Sequence, residues 1–340
     1  MSVQYLVSIL TLGVITAILV LGVNVRWGMA GELDLGFYLF PAIGAYVYGI
    51  VTLPKPNALA GETYVLGLNQ SFFVGLVAAM IAGGVLSVLI GAVALRRLRA
   101  NYFAIVTVAT TIIGYSFISQ YKPLFNGYNG LYAVPQPFSG ALKLSVQGYS
   151  NFFLALCTAG LLAVFVILEF IRRSPFGRAV KAVREDEVAA LAFGRSPYRL
   201  RLKAYIIGGV VGAFGGALLV NYVQSYSPQA WSALETFLLY GGLLVGGTGN
   251  NLGGIVGAFL VLIVFTQLVL QIPQSWVSNS DALPAIENIT IGLLIVLTLY
   301  FRPGGLIPEI PSMAGQLRTR GRWNRRRAGV TAEAAGDASA

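Results

Sequence analysis

The stretch YLVSILTLGVITAILVLGV, from Tyr5 to Val23, contains no charged side chain. An α-helix needs roughly 20 mostly apolar residues to cross the hydrocarbon core of a membrane. The few residues ahead of this stretch include no Lys or Arg, so the basic start that is typical of a cleaved signal peptide is missing. We therefore interpret Tyr5–Val23 as the first membrane-spanning helix.

Further apolar runs along the chain meet or approach the length of a span. They are Leu33–Leu53, Phe72–Leu95, Tyr102–Tyr121, Phe152–Ile171, Ala204–Val223, Leu234–Val245, Ile255–Ile272 and Ala285–Phe301. The sequence therefore predicts an all-α fold, a polytopic transmembrane helical bundle of about nine spans, with a range of about 8–10. The run Leu234–Val245 is short and leads into a glycine-rich stretch, so segment 234–254 is expected either to span or to be re-entrant.

Composition agrees with a membrane protein and excludes several kinds of site. The chain has 340 residues, 56% of them hydrophobic and 11% charged, with a mean hydropathy of +0.74, whereas soluble domains are about a quarter charged. The single cysteine, Cys157, excludes an internal disulfide, and the absence of His excludes a His-ligated metal or a catalytic His. We expect no catalytic residues, no metal site and no cofactor.

The positions of the basic residues predict the orientation, because Lys and Arg accumulate in cytoplasmic loops. With nine spans, all of the 23 Lys and Arg residues except Lys55, Lys122 and Lys143 fall on one side of the membrane. The sequence thus predicts an external N-terminus and a cytoplasmic C-terminus. Residues 1–307 form the predicted transmembrane domain, with a cytoplasmic loop at 172–203, and residues 308–340 a disordered basic cytoplasmic tail.

The cytoplasmic loop is the only long one on its side, and its sequence is typical of an amphipathic helix that lies on a membrane or docks on a partner. It carries the acidic triplet Glu185-Asp186-Glu187 among basic residues, and Gly194 and Pro197 follow as a stop signal. Topology alone does not require the acidic triplet, whereas a docking surface would use it. We therefore predict a helix that contacts another protein.

Here the chain resembles a known family. The run from Ser174 to Gly194, SPFGRAVKAVREDEVAALAFG, resembles the coupling loop of the permease subunits of ABC importers. In particular it is similar to the branched-chain amino acid permease family, LivM-like subunit, whose loop follows the pattern S-x-x-G-R-A-x-x-A-x-R-E-x-E-x-A-A-x-x-x-G. The general E-A-A-x-x-x-G pattern of ABC permeases is kept only in part, because Val188 stands where its Glu would be. By this resemblance the residues that couple to the ATPase are Arg178, Arg184, Glu185, Glu187, Ala189, Ala190 and Gly194.

Four other segments resemble the family in the same order along the chain. They are Gly28–Tyr46, Tyr102–Thr107, the glycine-rich Gly241–Gly257 and Arg302-Pro-Gly-Gly-Leu306. The segment Tyr128–Leu131 and the region Ala233–Phe237 depart from the family pattern, which puts the substrate in question more than the fold. The stretch Gly246–Asn251 lacks the Lys-Ser/Thr of a phosphate-binding loop, so the chain is not expected to hydrolyse ATP itself.

The resemblance implies a permease subunit that translocates branched-chain or related small amino acids across the inner membrane. Its implied partners are a homologous permease subunit, two cytoplasmic ABC ATPases and an extracytoplasmic substrate-binding protein, with the lipid bilayer around it and no nucleic acid. A urea or short-amide ABC permease is the alternative. A self-contained channel or secondary transporter is a further one, although the chain shows no clear internal repeat.

Polar residues inside the apolar runs are the candidates for a solute pathway. We name Asp34, Asn221, Tyr222 and Gln267. Asp34 lies eight residues after Arg26, so a structural ion pair between these two and a role in the pathway are equally open alternatives.

Overall fold

The computed structural model describes residues 3–56, 64–98, 100–138, 145–230, 233–265, 282–302 and 304–309. The chain divides into Met1–Pro308 and Glu309–Ala340. Since residues 310–340 lie outside the described ones, the disordered tail at 308–340 stays a prediction.

The described residues form helices and connecting segments, with two isolated β-bridges and no strand. Backbone groups in lipid must be hydrogen-bonded within their own segment, which leaves the helix as the structure for apolar runs of this length. The helices are α1 (Val3–Val23), α2 (Leu39–Thr52), α3 (Phe72–Arg97), α4 (Ala100–Gln120), α5 (Lys122–Phe125), α6 (Val146–Arg173), α7 (Pro175–Glu185), α8 (Glu187–Ala192), α9 (Pro197–Val223), α10 (Ala233–Gly246), α11 (Asn251–Gly257) and α12 (Ala282–Phe301). Two π-helical segments, Asn24–Met29 and Ala258–Phe265, continue α1 and α11.

The all-helical class is confirmed, and the number of spans is not. Each predicted run contains helix, but only five described helices are long and apolar enough to cross a membrane, or six if a bent pair counts as one span. The bent pair, Glu235–Gly246 with Asn251–Val261, turns by 117°. The second run gives only the 14-residue helix α2, because the residues before Leu39 form turns rather than helix.

Helices α1 and α9 form the centre of the bundle. In each of these two, 61% of the residues in the most apolar stretch of 18 are buried, compared with 22% in α3 and in α6. Helix α9 can pack closely on α2 and α3 because small residues line its contact faces. At Gly209, for example, an added Cβ would lie 2.4 Å from the guanidinium of Arg26 and 3.0 Å from the ring of Phe40.

The turn between α10 and α11 is held by the end of the described chain. The backbone N–H groups of Leu306 and Ile307 donate to the carbonyl oxygens of Val245 and Gly246, at 2.8 Å and 2.9 Å. Gly247 and Gly305 both have positive φ and touch each other. Two glycine-rich segments that are far apart in sequence therefore meet at one end of the bundle.

Candidate functional site

The π-helical end of α1 places a charged side chain in the interior. Arg26 is fully buried, and its guanidinium forms an ion pair with Asp34. Its Nε donates to the carbonyl oxygen of Tyr205 (3.1 Å) and its Nη2 to Oγ of Ser87 (3.2 Å). The guanidinium carbon lies 3.8 Å from the ring centroids of both Phe40 and Tyr205. Helices α1, α2, α3 and α9 are thus joined at one cation.

Asp34 is held as firmly as its partner. Its Oδ2 accepts from Arg26 and its Oδ1 accepts from the backbone N–H of Gly36 (3.1 Å). The hydroxyl of Tyr240 on α10 accepts from the backbone N–H of Asp34 (2.9 Å) and lies 3.1 Å from its carbonyl oxygen. The carboxylate is buried, as is the guanidinium of Arg26.

A second polar network joins α1 to the bent pair and to the end of α6. Nδ2 of Asn24 donates to Oδ1 of Asn251 (3.0 Å), and Oδ1 of Asn24 accepts from the N–H of Gly249 (2.9 Å). Nδ2 of Asn251 donates to Glu169 (3.1 Å), which also pairs with Arg172 at 2.5 Å. We call the end of the bundle that contains this network, the loop 172–203 and the residues 304–307 the basic end.

The loop 172–203 forms two helices rather than the single helix that its pattern predicts. The break lies at Asp186, whose extended backbone (φ −153°, ψ 103°) ends α7 and whose side chain accepts from the N–H of Ala189 (2.9 Å) to begin α8. Ser174 caps α7 in the same way through the N–H of Gly177 (3.2 Å). Asp186 therefore acts as an N-cap, a role that its place within an acidic triplet concealed.

Both loop helices are tied to the bundle through charged side chains. Arg184 of α7 donates to the carbonyl oxygen of Gly28 in the π-helical segment. Arg201 in the first turns of α9 lies 2.8 Å from Glu32 and 3.0 Å from Glu187 of α8. Burial is the main reason that the pKa of Glu32 is raised above its usual value, and nearby Arg201 only partly offsets it. The loop thus contacts the segment that follows the first span.

Helix α8 and the residue that follows it expose three apolar side chains. Val188, Leu191 and Phe193 are 77%, 54% and 85% exposed. Ala190 faces inward and is buried, while Ala189 is exposed.

The remaining predicted coupling residues lie along the same loop. Gly194 ends α8 with φ +71°, the left-handed conformation that the predicted turn requires. Arg178 is exposed and donates to the carbonyl oxygen of Arg173 (3.0 Å). Glu185 is exposed at the end of α7.

Two predicted pathway residues lie at the opposite end of α9. Asn221 and Tyr222 line a polar cavity of about 80 Å³ between α1, α6 and α9. The Oδ1 of Asn221 is buried and has no hydrogen-bond partner in the described part of the chain, while the hydroxyl of Tyr222 donates to the carbonyl oxygen of Ser8 (3.3 Å). Asn221 is 20 residues after Arg201, about 30 Å along the helix. Gln267 lies outside the described residues.

Sequence reasoning missed several residues of these networks. Asn24, Glu32, Arg201 and Asn251 were not singled out, and neither was the edge-on contact of Trp27 with the ring of Tyr240, with centroids 5.1 Å apart. Asn24 could have been found from the sequence. It is a polar residue directly after the apolar run Tyr5–Val23, and a polar side chain at membrane depth usually has a polar partner.

Comparison with known proteins identifies the family. The family described as branched-chain amino acid transport system / permease component matches residues 5–299. The high-affinity branched-chain amino acid transport system permease protein LivM of Escherichia coli (strain K12) is 31% identical over 323 residues, which cover 89% of this chain and 70% of that protein.

More distant relatives agree. The probable LivM permease of Methanocaldococcus jannaschii is 27% identical over 319 residues, covering 86% of this chain and 90% of that protein. The LivH permease of Escherichia coli (strain K12) is 26% identical over 303 residues, covering 80% and 92%. No solved structure matches the chain. With its apolar helices and buried polar networks, this multi-pass membrane protein belongs to the family of branched-chain amino acid transport system permease components.

Proposed function

We propose that the chain is the membrane-spanning subunit of an ABC importer that carries branched-chain or related small amino acids through the inner membrane. ATP hydrolysis belongs to separate subunits. All three relatives named above are described as branched-chain amino acid permeases, which supports the substrate class. The chain supplies part of the pathway and the contact that receives mechanical work.

The observation that carries this proposal is the exposure of apolar side chains on α8 and at its end. Val188, Leu191 and Phe193 are exposed at the basic end, among basic and acidic side chains. Exposed apolar patches of this kind are typical of protein–protein contacts. Helix α8 is attached to the bundle by the ion pair of Glu187 with Arg201 and by the buried side chain of Ala190. A force applied to α8 therefore reaches α9 directly.

The proposed mechanism is alternating access. An ATPase that closes around α8 moves Arg201, and with it the ion pair to Glu32 in the segment between the first span and α2. Arg184 carries the same motion to Gly28. Because Arg26 and Asp34 join four helices near these contacts, we assign them to bracing the bundle so that it moves as a unit.

The proposed surroundings follow from the charge pattern and the family. The basic end faces the cytoplasm, in a topology of nine passes with the N-terminus outside. A homologous permease subunit completes the pathway, two ATPase subunits dock on the basic end, and an extracytoplasmic binding protein delivers the substrate. The residues proposed for ATPase contact are those of the coupling loop, joined by the exposed Val188, Leu191 and Phe193.

The test is ATP-driven uptake by the assembled importer in proteoliposomes. Replacing Val188, Leu191 and Phe193 together by Ser removes three exposed apolar side chains and keeps the capping side chain of Asp186 and the turn at Gly194. We expect the ATPase subunits to be lost on purification and uptake of labelled leucine to fall to background. The conservative variant Phe193→Leu serves as the control and should keep both. Full ATPase retention by the triple variant would refute the proposal.

One observation favours a second substrate class, the short amides. The cavity beside Asn221 is lined by neutral side chains, among them Ser8, Thr11, Gln136 and Ser150, and none of its lining residues is charged. Moving a zwitterionic amino acid from water into such a site costs more desolvation free energy than moving a neutral amide. Uptake of labelled leucine and of labelled urea or acetamide, measured side by side, separates the two, since an amide permease takes up the amide and not leucine.

A further inference from the structure

Two apolar depressions flank α9 on the outside of the bundle. The first, of about 520 Å³, lies between α3 and α9, and the second, of about 400 Å³, lies between α6 and α9. Met80, Ile206 and Val210 line both, so the two are continuous across the face of α9. The neighbouring side chains of α3 point outward, with Ile81 61% and Leu89 63% exposed. Within the spans, this face is open to lipid or to another chain.

The depressions lead toward a group of cations at the basic end. Helices α3 and α9 are antiparallel, because Gly83 packs against Ala213 while Gly91 packs against Leu202. The last turn of α3 therefore lies next to the first turns of α9. These turns carry the exposed residues Arg96, Arg199 and Lys203. Lys203 precedes Ile206 by three residues and Arg96 follows Leu89 by seven, spacings that place each cation on the lined face of its helix.

These cations differ from the interior ones in having no anion of their own. Arg26, Arg172 and Arg201 each pair with a carboxylate. Arg96, Arg199 and Lys203 form no ion pair within the described residues. Positive charge beside an apolar depression at the membrane surface is the combination that binds anionic lipid headgroups. A transmembrane helix of another protein would fill the depression but would leave the cations uncompensated.

We propose that this face binds an anionic phospholipid. Its acyl chain lies in the depressions along α9, and its phosphate contacts Arg96, Arg199 and Lys203. The site is independent of which solute the protein carries and of which subunits bind α8.

The test is lipid retention by the purified full-length chain, measured by native mass spectrometry. The chain is released from nanodiscs of phosphatidylcholine that contain phosphatidylglycerol. We expect retained phosphatidylglycerol in excess of its share in the nanodisc. Each of the variants Arg96→Gln, Arg199→Gln and Lys203→Gln should lower the preference for phosphatidylglycerol about fivefold. This is the usual contribution of one Lys or Arg to binding an anionic lipid. Arg195→Gln, an exposed cation in the loop before α9 rather than on α3 or α9, is the matched control and should change nothing.

A second variant tests the acyl-chain part with all cations in place. Gly84 lines the first depression, and a Cβ there meets only Val210, at 3.3 Å, so the side chain of Gly84→Leu extends into the depression. We expect this variant to lose bound phospholipid of both kinds. Unchanged phosphatidylglycerol retention by the variant that combines Arg96→Gln, Arg199→Gln and Lys203→Gln would overturn the proposal. A second result would also overturn it. If the variant Ile81→Cys forms a disulfide at full yield with a cysteine of another protein subunit in native membranes, a protein covers this face instead of a lipid.

Discussion

The carboxylate of Glu32 lies 2.8 Å from Nε of Arg201, which fixes the segment after the first span to the start of α9. Arg201 also contacts Glu187 of α8 at 3.0 Å, so one guanidinium connects the coupling loop with the transmembrane bundle. The pair is mostly buried on both sides, with side chains 25% and 7% exposed. It is thus placed to respond to pH and, under the proposed function, to an ATPase that binds α8.

The first prediction concerns the pH dependence of Glu32. Its pKa is raised from 4.5 mainly by burial, so the folded state favours the protonated form. The stabilisation that the protonated Glu32 carboxyl contributes is fully present below the ordinary pKa. It is lost as the pH rises through the raised pKa of the folded state. We expect the melting temperature of the wild type, relative to Glu32→Gln, to fall over that interval. Thermal unfolding in detergent from about pH 4 to about pH 8 measures it. A constant difference between the two proteins would contradict the raised pKa.

The second prediction concerns the buried ion pair. Asp34→Ala leaves the guanidinium of Arg26 buried without its anion, and removing one partner of such a pair costs about 3–5 kcal/mol. We expect a large loss of thermal stability and of accumulated protein. Replacing both residues by apolar ones, as in Arg26→Met with Asp34→Leu, should restore part of that loss. If Asp34→Asn accumulates and melts normally but fails in uptake, Asp34 instead belongs to the pathway.

The third prediction concerns the end of α8. Gly194 has φ +71°, so Gly194→Val forces a β-branched residue into the left-handed region at a cost of about 1–2 kcal/mol. Ala190 is buried, so Ala190→Trp lifts α8 from its seat. Both variants are expected to weaken ATPase retention and to abolish substrate-stimulated hydrolysis while the membrane helices stay folded. Gly194→Asn, which tolerates positive φ, should behave as the wild type. Normal retention and stimulation in both variants would exclude the coupling role.

The fourth prediction concerns the topology. If the basic end faces the cytoplasm, a reporter that is active only inside the cell should work when it is fused after Ala340. A second fusion within the connection between α5 and α6, after Gln136, should be inactive with the same reporter. The reverse pattern, assayed in intact cells, would invert the orientation. An active reporter at both positions would require a different number of spans between them.

The fifth prediction concerns the cavity at the far end of α9. The buried Oδ1 of Asn221 has no partner within the described residues, so Asn221→Leu removes an unsatisfied acceptor and should not destabilise the protein. If the cavity belongs to the pathway, uptake should nonetheless fall at least tenfold. Thr158→Ala, which loses only a hydroxyl bonded to the carbonyl oxygen of Leu154 of its own helix (2.8 Å) and lies outside the lining of the cavity, is the control. Normal uptake by Asn221→Leu would remove this residue from the pathway.

The sequence predicts helices well and their partners poorly, for a physical reason. Apolar length decides where helices form in lipid, so each predicted run contains helix. The possible pair of Arg26 and Asp34 was visible because only eight residues separate them. The contact of Arg26 with Tyr205 spans 179 residues and that of Asn24 with Asn251 spans 227. Such contacts depend on helix packing, which no local pattern encodes. The break at Asp186 was missed because the flanking residues suit a helix on either side.

The placement of Arg26 has a consequence for how the protein is made. The first span leaves the translocon with a cation near its end, and the carbonyl oxygen and ring of Tyr205 that complete its shell are synthesised 179 residues later. At about 5–20 residues per second, the gap lasts roughly 10–35 s. During that interval the guanidinium has its partners Asp34, Phe40 and Ser87 but lacks Tyr205. We therefore expect the interior of this bundle to close only after α9 has been inserted, as a late, long-range assembly rather than a helix-by-helix one.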